Sequence, residues 1–323
     1  MKSSSHLLLM PPNWIGDVIM AQPALRTISE FYTQHAATEQ ISVCGRAWLK
    51  DLLPYLGLPH SQYQSAIPAA DTALLFPNSF RSAWMCRRAG VNNIIGYRGQ
   101  WRSLLLSQAL PRRVDTLHEH HRDFHLDIAR QLNIPVSNSE VTLSPPTGAK
   151  TAGQNIMLQH GLNPDRVICI APGAQFGTAK CYPPEGFHSV VKQLSDAGWQ
   201  PLVLGMPEDH DVGQNILNGI NAAHWNAAGT TSLSEALQLI SACNLMLCND
   251  SGLMHVAAAV GVKACVIYGS STPAYTPPLT ENATIFYKAL DCSPCFDRQC
   301  RYQHYRCLKS IEPYEVIEKI VAE

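Results

Sequence analysis

The stretch CNDSGLMHVAAAVGVKACVIYG, residues 248–269, decides the fold. Residues 245–248 are apolar enough for a buried strand, Asn249-Asp250-Ser251-Gly252 is a polar turn, 253–260 reads as a helix of small residues, and 264–268 as the next strand. This order sets a carboxylate, a hydroxyl and a glycine at the carboxyl end of a strand where a helix begins, which is where doubly wound α/β folds hold their ligands. The helix start offers N–H groups and the positive end of a dipole, suited to a phosphate. His255 stands one turn in. Asp250 or Ser251 acting as an ordinary helix cap is the competing reading. A cap accounts for one polar residue, not for Asp250, Ser251 and His255 converging on one helix end.

Outward from this segment, apolar runs at 6–10, 41–44, 73–76 and 94–97 predict strands in the first half, and those at 167–171 and 201–204 predict two more in the second. Helical spacing of Val18, Ala21, Leu25 and Ile28 predicts a helix after the first strand, with others over 118–132, 187–197, 234–243 and 312–323. A polar, proline-containing stretch at 144–154 separates the two series. Two βαβ series of similar length predict an α/β chain of two Rossmann-like doubly wound domains facing across a cleft. The expected boundaries are an N-terminal domain over 1–150, a C-terminal domain over 151–311 and a terminal helix over 312–323. A chain of 323 residues suits two such domains of roughly 150 residues each.

Composition narrows the class. Apolar residues make up 46% and charged residues 15%, which describes a globular chain. A net charge of −1 argues against a general nucleic-acid binder. No apolar run approaches the roughly 18 residues of a membrane span, and the apolar stretch at 6–10 is too short for a signal peptide, so a cytoplasmic enzyme is expected. Its eleven cysteines are then expected to be reduced unless they hold metal. Neither G-x-G-x-x-G nor G-x-x-x-x-G-K-[ST] occurs, so the dinucleotide-dehydrogenase and P-loop readings lose their best support.

Several loops carry candidate chemistry. Gly16-Asp17 follows the first strand at a helix start, and Asn78-Ser79 follows the strand at 73–76. After the strand at 167–171, Gly173 and Gly177 would let backbone approach a ligand, Gln175 and Thr178 can hydrogen-bond, and Lys180 brings a positive charge. Glu208 and Asp209 follow the strand at 201–204. Each acid has helix capping as its ordinary alternative. Between residues 80 and 125 stand eight arginines (81, 87, 88, 98, 102, 112, 113 and 122), no lysine and three acids (Asp115, Glu119 and Asp123). The run is either a solvated basic face or a surface for an anionic partner, for which arginine is well shaped. The neighbouring His118-Glu119-His120-His121 reads as solvated.

The segments 11–27 (PPNWIGDVIMAQPALRT), 76–84 (FPNSFRSAW), 171–183 (APGAQFGTAKCYP), 249–259 (NDSGLMHVAAA), 268–279 (YGSSTPAYTPPL) and 292–308 (CSPCFDRQCRYQHYRCL) together resemble bacterial ADP-heptose:lipopolysaccharide heptosyltransferases. Their D-[ST]-G-x-x-H segment is matched by Asp250, Ser251, Gly252 and His255. Within the family the set is most similar to the members that extend a heptose of the inner core. The resemblance implies a GT-B architecture, with the terminal helix packing back on the N-terminal domain. It implies an inverting transfer of L-glycero-D-manno-heptose from ADP-heptose to an anionic lipopolysaccharide inner-core acceptor at the inner face of the cytoplasmic membrane. Asp17 matches the family's base, which takes the proton of the acceptor hydroxyl. Gln175, Thr178, Lys180, Glu208 (or the adjacent Asp209), Asp250, Ser251, Gly252 and His255 fall to the donor, and Asn78, Ser79, Arg81 and Arg98 to the acceptor. The resemblance implies no acidic pair holding a metal beside the diphosphate, so no cofactor is expected for catalysis.

Cys292, Cys295, Cys300 and Cys307, with His304 among them, form either a structural zinc or iron site or a set of unliganded thiols. Two other functions stay open: the same donor with another acceptor (the first core position or a protein hydroxyl), or a non-catalytic nucleotide-sugar or metal-binding regulatory protein. Intact Gly16-Asp17 argues against the latter.

Overall fold

Short apolar runs become the centres of two parallel sheets, because a strand buried on both faces must be apolar along its whole length. The computed structural model describes residues 6–35, 40–113 and 119–321. The chain divides into two compact units, Met1–Ser144 and Pro145–Glu323. The first contains β1 (His6–Met10), α1 (Ile15–His35), β2 (Gln40–Cys44), α2 (Leu49–Leu52), β3 (Ser61–Gln64), β4 (Thr72–Leu75), α3 (Phe80–Arg88), β5 (Asn93–Tyr97), β6 (Gln108–Leu110) and α4 (His121–Gln131). Its strands are ordered β3-β2-β1-β4-β5-β6, with Leu7 opposite Ile41 on one side of β1 and opposite Thr72 on the other. Leu8, Ala73, Leu75 and Ile94 lead to α3 through Ala83 and Cys86 in its core.

The second unit begins with α5 (Ala149–Gln159). It continues through β7 (Val167–Ala171), α6 (Pro184–Asp196), β8 (Gln200–Val203), α7 (His210–Leu217), β9 (Trp225–Asn226), α8 (Leu233–Ala242), β10 (Leu245–Asn249), α9 (Gly252–Ala259), β11 (Lys263–Tyr268), β12 (Ala283–Tyr287), α10 (Arg306–Lys309) and α11 (Pro313–Val321). Its sheet is ordered β12-β11-β10-β7-β8-β9, which counted from its own first strand is the order of the first sheet. All strand pairs are parallel. Ile168, Ile170, Leu247 and Ile267 meet Phe187, Val190 and Val191 of α6 in the core. In each unit the strand order reverses between the first and fourth strands, β1 and β4 or β7 and β10.

Three expectations shift. The unit boundary lies at 144/145, because α5 packs on α8: a side chain at Gly153 would lie 2.1 Å from the Gln238 carbonyl oxygen. The helix expected from residue 118 begins at His121, and His118 and Asp115 lie outside the described residues. The terminal helix expected over 312–323 is α11 (Pro313–Val321); it lies on α6, with Val316 and Ile320 buried in the core of its own unit.

Candidate active site

In the second unit the ends of β7 and β10 lie side by side. Buried Asn249, the last residue of β10, joins their loops: its side chain donates to the Pro172 carbonyl at 2.6 Å and accepts from the Tyr182 N–H at 3.0 Å. The loop between those two contacts contains Lys180. Its Nζ lies 2.5 Å from the carboxylate of Asp250, which is only 3% exposed. Ser271 donates to the same carboxylate at 2.5 Å and Thr276 at 3.3 Å. A buried carboxylate needs such partners, and here they hold the lysine in one place. Asp250 thus positions Lys180.

Ser251 precedes α9 in extended conformation and makes no side-chain cap bond; its buried Oγ has no partner among the described residues. The capping alternative is therefore not realised, and the first N–H groups of α9, which have no intrahelical acceptor, adjoin an unpaired hydroxyl. His255 is buried in the same helix. Gln175 and Thr178 are exposed, and the Thr178 hydroxyl lies 3.2 Å from that of Tyr305.

The two glycines of this loop serve the protein. A side chain at Gly173 would lie 2.3 Å from an Asp209 carboxylate oxygen, and one at Gly177 would lie 2.2 Å from the Arg298 carbonyl oxygen. Gly177 also has φ +152°, where other residues are strained. Close approach was expected toward a ligand; the structure uses it for Asp209 and Arg298. Asp209 accepts from the Met206 N–H at 2.8 Å, and burial raises its carboxyl above the ordinary range. Glu208 stands exposed beside it.

The cysteine-bearing loop is fastened to the same site. The N–H groups of Cys295 and Phe296 donate to the Ser270 carbonyl (3.0 and 2.8 Å), the Ser293 hydroxyl to Gly269 (2.7 Å), and the Ala179 N–H to the Arg298 carbonyl (3.1 Å). All four cysteines are free thiols. Among the described residues no three histidine, cysteine or acidic side chains are grouped to hold a metal ion, so the zinc or iron alternative finds no support here. Burial acts to raise the Cys300 thiol, but N–H groups of Tyr305, Tyr302, His304 and Gln303 outweigh it and hold it below its usual value.

In the first unit Asp17 lies in the first turn of α1, partly exposed, after buried Gly16. The β4–α3 loop presents Asn78, whose buried Oδ1 has no partner among the described residues. Ser79 caps α3, accepting from the Ser82 N–H at 3.2 Å, so for this residue the ordinary alternative holds. Arg81 and Arg98 are exposed.

The arginine run is not one surface. Arg102 is fully buried and donates to the carbonyls of Tyr97 (2.7 Å), Pro77 and Ser79 (3.4 Å), gripping the loop around Asn78. Burial lowers its pKa to about 10, with a contribution from Arg112. Arg87 binds the Leu105 and Asn92 carbonyls, and Arg122 pairs with Asp123. Nor are the histidines solvated. His120 accepts from the Arg122 N–H at 2.8 Å, and His121 packs edge-on to Phe124. Burial, then Arg122 for His120 and His120 for His121, lowers both to about 4.

A sequence profile described as glycosyltransferase family 9 (heptosyltransferase) matches residues 66–306. The chain belongs to glycosyltransferase family 9. A family relative, lipopolysaccharide heptosyltransferase 2 of Escherichia coli K12, is 30% identical, with 98% of this chain and 97% of the relative covered. Lipooligosaccharide heptosyltransferase 2 of Haemophilus influenzae is 29% identical over 87% of this chain and 88% of its own. The solved structure of E. coli ADP-heptose lipopolysaccharide heptosyltransferase II shares 30% identity and superposes with a TM-score of 0.79 over 98% of each chain. The family resemblance carried by the separate motifs thus extends over nearly the whole chain, and this family 9 enzyme is a glycosyltransferase.

Asn249, Ser271, Thr276 and Arg102 were not singled out as site residues. Asn249 and Ser271 stand inside the motifs, but their buried contacts lie 21 to 77 residues away in sequence, where no local spacing signals them.

Proposed function

We propose that the protein is an inverting heptosyltransferase that moves L-glycero-D-manno-heptose from ADP-heptose to a heptose of the lipopolysaccharide inner core. The observation that carries this reading is the Lys180–Asp250 pair beside the start of α9, at the point of strand-order reversal in a family 9 chain. The more similar relatives, those of E. coli and H. influenzae, are named heptosyltransferase 2, which favours that acceptor over the first core position.

In this reading the diphosphate lies against Lys180, the Ser251 hydroxyl and the N–H groups of α9, while Gln175, Thr178, Gly252 and His255 line the donor and exposed Glu208 contacts the nucleoside. Asp17 takes the proton of the acceptor hydroxyl as that oxygen attacks the anomeric carbon, and the bond to ADP breaks with its electrons passing to the diphosphate. Positive charge placed where negative charge develops is the main source of rate. Asn78, Arg81 and Arg98 face the anionic acceptor. No divalent ion is needed, because Lys180 and the helix start supply the charge a metal would bring. The enzyme works in the cytoplasm at the inner membrane face; among the described residues no helix is long and apolar enough to cross a membrane.

The test is incubation of purified protein with ADP-heptose and lipopolysaccharides truncated at defined core positions, read by product mass, with and without EDTA. Addition of one heptose to the acceptor ending in the first heptose, undiminished by EDTA, is expected. Transfer only to heptose-free core, or none, would overturn the reading.

A further inference from the structure

The positive charge of Lys180 is partly offset at this site by the buried carboxylate of Asp250, 2.5 Å from its ammonium. Breaking the bond to the sugar adds negative charge to the departing diphosphate, so a further cation would add to what Lys180 and the helix start supply. A second cation stands close by. Phe176, partly exposed, has Lys180 Nζ 5.2 Å from its ring centroid and the guanidinium carbon of Arg298 at 5.4 Å. We infer that Arg298, from the cysteine-bearing loop, is a second diphosphate-binding residue of the donor site. The inference rests on the donor-site reading above.

Three observations support it. The main chain of Arg298 is locked to the lysine loop: its carbonyl accepts from the Ala179 N–H at 3.1 Å and fills the space left by the missing side chain of Gly177. The side chain itself is exposed, and among the described residues no carboxylate lies within ion-pair distance of it. Arg301, three residues on, is paired with Asp297 at 2.6 Å, so the two arginines differ in available charge. A guanidinium can grip phosphate oxygens in a bidentate manner, and stacking on an aromatic ring orients it beforehand. The fastening of the loop through backbone atoms holds this cation beside the donor site.

Calorimetric titration of the full chain and its variants with ADP and with AMP tests the assignment. Arg298→Ala is expected to weaken ADP roughly tenfold or more, the scale of a lost charged hydrogen bond, with AMP changed far less. Arg298→Lys should recover part of the loss, and Arg301→Ala should leave ADP affinity unchanged. Equal weakening of ADP and AMP by Arg298→Ala would overturn the assignment, because a loop disturbed as a whole does not distinguish the two nucleotides. Unchanged ADP affinity in Arg298→Ala alongside weakened affinity in Lys180→Gln would overturn this inference alone. If neither variant moved ADP, the donor-site reading would fall and take the inference with it.

Discussion

The two units share one strand order and place opposite chemistry at the same point of it. In the C-terminal unit, the loops after β7 and β10 are joined by Asn249, and a buried carboxylate is satisfied by a lysine and two hydroxyls. In the N-terminal unit, the loops after β1 and β4 carry a partly exposed carboxylate, Asp17, and an asparagine oxygen without a partner among the described residues. There the buried charge is a cation, Arg102, held by main-chain carbonyls. One carboxylate is thus a buried support for a cation, and the other is a partly exposed residue in the first turn of a helix. The same topology serves both because the position of a site belongs to the fold, while its charge belongs to a few side chains.

The sharpest break of this comparison is Asp17→Asn. Turnover should fall by about 10²–10⁴-fold, the usual worth of a positioned base, while calorimetry finds ADP binding unchanged. A near-normal rate would remove Asp17 from the mechanism.

The supporting role of Asp250 is probed next through its partner. Lys180→Ala leaves a buried carboxylate without its cation, which should lower stability by about 3–5 kcal/mol in denaturant unfolding. ADP should bind about 1.5–3 kcal/mol more weakly to the variant that remains folded.

Arg102→Met keeps the apolar stem and removes the grip on three carbonyls. A stability loss of about 1–3 kcal/mol is expected, with a raised KM for the acceptor and an unchanged affinity for ADP. A shift in ADP affinity instead would place Arg102 outside the acceptor side.

The smallest effects compare two serines at equivalent helix starts. Ser79→Ala removes a real cap and should cost about 1 kcal/mol of stability. Ser251→Ala removes a hydroxyl with no cap bond, so melting should barely move while ADP affinity falls. Equal stability losses would mean that both serines are ordinary caps.

The central strands were legible because burial on both faces leaves a continuous apolar run, as in Val167–Ala171 and Leu245–Asn249. The four missed strands are the edges of the two sheets: β3 (SQYQ), β6 (QAL), β9 (WN) and β12 (ATIFY). An edge strand meets solvent, so SQYQ, QAL and WN are not separable from loops by composition, whereas ATIFY carries strand-favouring residues and was overlooked. The helix at 312–323 was legible, but nothing local names the surface that covers it.

Sequence by itself determined the fold class, the loops that bear the chemistry and the family, because these depend on apolar runs and on residues a few positions apart. Only the tertiary structure decided what each charge does. Lys180 meets Asp250 across 70 residues, Arg102 reaches back 25 to Pro77, and Ala179 is bound to Arg298 by backbone atoms alone. His120 and His121, read as solvated, are half-buried with lowered pKa values for the same reason: what surrounds a side chain is set by packing between distant segments, and with it whether a charge is paired, buried or available.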